Sequence, residues 1–146
     1  MIGANEVLND VVDIQLNGGT LQAGGDFDET VTNLTLGQHS TIDFNNRNST
    51  IDFNGSGTLN GFNLSISNWD GTANTGGGNS QLIFDSTFSL TNVTINGNPN
   101  VMWINSLAQP GEWELVINTA PEASTWIGMG LLAACVVAFE LRRRKR

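Results

Sequence analysis

Basic residues are almost missing from this chain until its last positions. Of the six Lys+Arg among 146 residues, five are Arg142, Arg143, Arg144, Lys145 and Arg146, and the sixth is Arg47. All 14 Asp+Glu precede Arg142, so residues 1–141 carry a formal −13 and the last five residues +5. A body this poor in cations has no positive patch to neutralise phosphates, which excludes nucleic acid as its partner. Cysteine occurs once, at Cys135; the residues before it have no thiol to lose, which suits an oxidising compartment. Histidine occurs once, at His39, so a metal centre built on several imidazoles is ruled out. No stretch before Pro121 shows a convincing apolar stripe of helical period. The opening "MIGANEVLNDVVDIQL" has no basic start and no long apolar segment, so it does not read as a secretory signal peptide.

What the body does have is alternation. Apolar residues recur at every second position in Leu34/Leu36, Ile42/Phe44, Ile51/Phe53, Phe62/Leu64/Ile66, Phe88/Leu90 and Val93/Ile95. Period two puts them on one face of a strand and their Thr, Ser, Asn and Asp neighbours on the other. Between the runs stand "LNGGT", "NGSG", "LNGFN", "GTANTGGGNS" and "NGNPN". Gly and Asn tolerate the positive φ that tight turns need. "STIDFN" occurs at Ser40–Asn45 and again at Ser49–Asn54. Short, similar, turn-separated strands with outward Thr, Ser and Asn point to an all-β body, a short β-solenoid of stacked rungs. A β-sandwich is the alternative. After Pro110-Gly111 comes a last strand, "EWELVI". The expected organisation is a Gly/Asn-rich body over 1–118, a linker over 119–125, one transmembrane helix over 126–141 and a basic tail over 142–146.

The body offers little chemistry. His39 lies in a turn, "GQHS", and is expected to be solvated. Asp43 and Asp52 hold equivalent outward positions in the two "STIDFN" copies. Stacked, they would form an acid/base pair or a calcium site. The three acids of "GGDFDE" (Gly24–Glu29) are a second, weaker calcium candidate. "GTANTGGGNS" lacks the lysine of a phosphate loop and reads as a long turn. Asn33, Asn48, Asn54, Asn63 and Asn92 each open an Asn-x-Ser/Thr triplet, and glycosylation is one reading of them. Outward polar positions on strands explain the triplet asparagines more simply, and a solvated face explains Asp43 and Asp52. No catalytic residue, metal or cofactor is expected, and the chain is read as a non-enzyme.

The end is different in kind. Trp126–Phe139 has no charge, and with Glu140 and Leu141 it makes a 16-residue segment, about 24 Å of helix. That is shorter than the ~30 Å hydrocarbon core. Trp126 anchors one interface, while the arginines snorkel at the other and the bilayer thins. Glu140 lies one turn from Arg143 and Arg144, which can pair with it. The positive-inside rule then keeps Arg142–Arg146 cytoplasmic and the acidic body outside. A lone C-terminal span with no leader would instead drag five cations across. The expectation is therefore that a signal peptide lies upstream of residue 1.

Pro121-Glu122, then Ser124-Thr125-Trp126, an apolar helix and an arginine-rich terminus together resemble the PEP-CTERM sorting signal of Gram-negative and related bacteria. Ala123 stands where that family has a second proline. The resemblance covers Pro121–Arg146, and it implies recognition by an exosortase through Pro121, Glu122, Ala123 and Ser124. It also implies removal of the tail and delivery of the body to the cell surface or an extracellular polysaccharide matrix. The body is similar in composition to the autotransporter-like passenger repeats that precede such tails. The expected function is a structural or adhesive surface protein whose partners are the exosortase, the lipid bilayer and extracellular polysaccharide. A glycan-active enzyme on a β-helix and a permanently anchored membrane protein are the alternatives.

Overall fold

The computed structural model describes Leu8 and residues 10–119. The expected sorting motif Pro121–Ser124, the expected span 126–141 and the basic end 142–146 lie outside these residues. Among the described residues no helix is long and apolar enough to cross a membrane.

The body is all-β. Its strands are β1 (Ile14–Asn17), β2 (Thr20–Gln22), β3 (Phe27–Val31), β4 (Leu34–Gln38), β5 (Ser40–Asp43), β6 (Ser49–Phe53), β7 (Gly57–Thr58), β8 (Leu64–Ser67), β9 (Ser80–Phe84), β10 (Val93–Ile95), β11 (Val101–Asn105) and β12 (Trp113–Ile117). They form three sheets, ordered β1-β4-β7, β10-β8-β5-β2 and β11-β12-β9-β6-β3. Every third strand up to β9 returns to the same sheet and pairs in parallel with its predecessor. The chain therefore winds, and each circuit up to β9 contributes one strand to each sheet. After β9 the rule breaks twice among the described residues: β10 pairs with β8 and leaves the β1-β4-β7 sheet without a further strand, and β12 runs antiparallel to both β9 and β11.

Alternation turns this winding into a core. Leu21, Ile42, Ile66 and Ile95 stand in register down one wall. Val31, Phe53 and Phe84 stand in register down another. Leu34, Leu36, Ile42, Phe53, Leu64, Phe84 and Ile95 are completely shielded from solvent. Burial contributes on the order of 1.5–3 kcal/mol for each such side chain. The Phe53 and Phe84 rings stack at 4.7 Å, 8° from parallel. Phe88 and Trp103 then close the last circuit edge-to-face on Phe84, at 5.1 and 5.5 Å.

Polar residues hold the circuits in register. Ser49 and Ser80 are buried side by side at the start of their strands. Their hydroxyls donate to the carbonyls of Gly25 and Arg47 in the circuit before, both at 3.1 Å. After the β5, β8 and β10 strands the chain turns at Asn45, Asn68 and Asn96, with φ of 53°, 52° and 49°. Asparagine is among the few non-glycine residues that accept this left-handed conformation. Its amide also bridges circuits here. Asn68 Nδ2 donates to Asp43 at 2.8 Å, and Asn96 accepts from Trp69 N at 3.1 Å while donating to Trp69 O at 2.8 Å.

The two "STIDFN" copies do not stack on one another. The first is β5 and the second is β6, consecutive strands of one circuit in two different sheets. The spatial repeat is longer and uneven: Leu64 follows its partner Ser40 by 24 residues, and Val93 follows Leu64 by 29. Phe88 and Leu90, which alternate like strand residues, lie outside any strand and only partly buried, where the last circuit is incomplete.

Candidate functional site

The outward face of the β3-β6-β9-β12-β11 sheet is covered by two connections. The β8–β9 connection (68–79) and the β11–β12 turn (106–112) fold over it. Ile83, which faces outward between Asp52 and Glu114 in the register, is fully buried as a result.

Asp52 is the centre of this covered face. It is only 4% exposed. The β11–β12 turn is held by Ser106 N donating to Glu112 O at 2.9 Å and Gln109 N donating to Ser106 Oγ at 3.1 Å. That turn brings the Gln109 side chain near the Asp52 carboxylate, where it favours the ionised form. Glu112 and Asp85 stand near enough for their charges to be felt. Burial pushes the Asp52 carboxyl up, more than Gln109 pulls it down, and Asp85 adds to the rise. Glu112 is raised by burial and by repulsion from Asp52 and Asp85. Asp52 Oδ1 and Glu112 Oε2 are buried without a hydrogen-bond partner. A proton on either carboxyl relieves both the desolvation and the repulsion.

Glu114, fully buried on the same face, is held differently. Both of its oxygens accept from Gly77 N, each at 2.9 Å. Gly76, Gly77 and Gly78 have φ of 72°, 73° and 99°, a run that only glycine adopts freely. A Cβ on Gly76 would sit 2.6 Å from Glu114 Oε2. The triple glycine of "GTANTGGGNS" thus wraps the protein's own carboxylate. Burial still raises the Glu114 carboxyl, against the Gly77 bond.

Asp43 lies elsewhere. It sits on β5, beside Gln22 of β2 and Ser67 of β8 in the register. It accepts from Asn68 Nδ2 and Asn45 N at 2.8 Å and from Gln22 Nε2 at 3.0 Å. Burial opposes ionisation, but these bonds outweigh it and hold the carboxyl below its ordinary value. The stacked Asp43–Asp52 pair expected from the repeat is therefore not formed. The two residues are in different sheets, one bonded in a row of amides and the other covered.

The acids of "GGDFDE" also diverge. Asp26 accepts from Asn48 N at 3.2 Å, Asp28 is exposed, and Glu29 points into the first circuit at 1% exposure, meeting Leu8 N. No group of three metal-ligating side chains occurs among the described residues. His39 is exposed, as expected of a turn residue, yet bonded: its Nδ1 accepts from Asn63 N at 2.9 Å and its ring meets Phe62 edge-on. Among the triplet asparagines, Asn33 and Asn92 are tied to neighbouring turns, while Asn48, Asn54 and Asn63 are exposed. The covered Asp52–Glu112 pair was missed in the sequence, where outward alternation made Asp52 look solvated. The only available signal was the apolar Ile83 at an outward position two residues after Gln81.

No family model, no curated protein and no solved structure matches this chain.

Proposed function

We propose that the chain is an exported surface or matrix protein whose C-terminal segment is a PEP-CTERM-like sorting signal processed by an exosortase. The body is a short β-solenoid that serves as a structural or adhesive passenger. The observation that carries the reading is the order of parts at the end of the sequence: Pro121-Glu122, an uncharged segment from Trp126 to Phe139, and five consecutive cations. In this reading Pro121, Glu122, Ala123 and Ser124 are the recognised residues. Trp126 and Arg142–Arg146 fix the span in the bilayer, with the acidic body outside.

The described body supports the division of labour. Its hydrogen bonding runs to Thr119, whose N–H donates to Asn74 Oδ1 at 2.8 Å. Asn74 Nδ2 donates to Thr119 Oγ1 at 2.6 Å. Passenger contacts thus reach to two residues before Pro121. A proline-containing linker next to such a rim would be open to a membrane-face protease.

The test is mass spectrometry of the mature C-terminus, recovered from fractionated cells of the native host. The expected result is a chain ending near 121–124 outside the inner membrane. A full-length chain ending at Arg146 in the membrane fraction would favour permanent anchoring, and a body in the cytosol would overturn export altogether.

A further inference from the structure

We propose that the groove between the turns Leu59–Phe62 and Leu90–Val93 is a binding site for a neutral saccharide unit. The groove exists because the winding fails at one place. β7 is two residues long, and no later strand adds to the β1-β4-β7 sheet beyond it. The chain after β9 instead lays the Phe88 ring on Gly57, where a Cβ would stand 2.3 Å from Phe88 Cε1. It then makes a turn, with Val93 N donating to Leu90 O at 3.1 Å, stacked on an earlier turn in which Phe62 N donates to Leu59 O at 2.8 Å. Asn92 Nδ2 ties the two turns by donating to Gly61 O at 3.2 Å.

The space left between them is about 390 Å³, within the ordinary range of small-molecule sites. Its lining selects the chemistry. Half-buried Phe88 and Leu59 give an apolar floor. Thr58, Asn60, Ser89 and Thr91 give an exposed rim of hydroxyls and amides. No charged residue lines the groove, although residues 1–141 carry −13. An anionic ligand would meet that field with no cation to hold it. A cationic ligand would find no carboxylate there. A pyranose fits both surfaces, since its C–H face buries against an aromatic ring and its hydroxyls exchange bonds with neutral donors and acceptors. An open rim also leaves the rest of a longer glycan in water.

This proposal deepens the adhesive half of the passenger reading and rests on it only for where such a glycan is met. Its test does not involve tail processing, so either reading can fail alone. The full-length chain in detergent is applied to an array of neutral and uronic-acid-containing oligosaccharides, and the strongest neutral binder is then titrated in solution. The expected result is binding of neutral oligosaccharides and rejection of acidic ones. Thr58→Trp, at an exposed position, fills the groove and is expected to weaken binding about tenfold or more. Phe88→Leu keeps an apolar floor but loses the ring, and is expected to weaken binding severalfold. A thermal melt of each variant shows that it is folded. Failure of every neutral oligosaccharide to bind at millimolar concentration overturns the proposal. So does preference for acidic ones, or undiminished binding by folded Thr58→Trp.

Discussion

At the scale of single residues, asparagine does here what glycine does in most turns, and adds a bond. Asn96 holds φ at 49° and clasps both the N–H and the C=O of Trp69. Asn96→Ala loses the two bonds and strains the backbone, with an expected loss of about 1–3 kcal/mol in chemical denaturation. Asn96→Gly keeps the conformation and should lose less. Glu114 makes the opposite experiment. Its buried carboxyl is raised by desolvation, so its ionised form is a burden on the fold. Glu114→Gln keeps an oxygen for Gly77 N and removes the charge. The variant should unfold at higher denaturant than the parent at pH 7, and the gap should close as the pH falls below the ordinary glutamate range. An equal gap at both pH values would place the effect in packing instead.

At the scale of elements, the wall of Val31, Phe53 and Phe84 and the loop that carries three glycines are the two features most exposed to substitution. Phe84→Ala removes a ring that touches Phe53, Phe88 and Trp103. The expected cost is about 3–5 kcal/mol, a large share of what a domain of this size has to lose. Gly78→Ala would bring a Cβ to 2.9 Å from Gly71 Cα and 3.0 Å from Thr72 N, at φ 99°. Both neighbours are backbone and cannot swing away, so about 1–3 kcal/mol of destabilisation is expected by the same measurement. Elements of this kind were readable in the sequence wherever alternation was strict. Leu34/Leu36, Ile42/Phe44, Ile51/Phe53, Leu64/Ile66 and Val93/Ile95 all face the core, and "EWELVI" contains β12. The length of a circuit was not readable, because the connections differ in size. The resemblance between β5 and β6 relates two walls of one circuit, and it hid the true repeat. Nor could Asp52 be seen as covered, since the cover comes from a turn more than fifty residues further along the chain.

At the scale of the whole molecule, the buried acids set a pH profile. Asp52, Glu112 and Glu114 have carboxyls raised in the fold. Each binds its proton more tightly folded than unfolded, so the stability that this adds is full below the unfolded values and declines as the pH rises through the folded ones. Asp43 is lowered, and its contribution, present above its unfolded value, is lost as the pH falls through the folded one. The two trends place the expected stability maximum in mildly acidic solution. Denaturant midpoints measured from pH 3 to pH 8 would check this, and a maximum at or above neutrality would contradict it. The reversed strand β12 has a consequence of its own. It comes back between β9 and β11, and the peptide after it is fastened to the β8–β9 connection through Asn74. Thr119 is therefore clasped to the body beside that connection. A tether joined there would load this clasp first, before any force reached the strands.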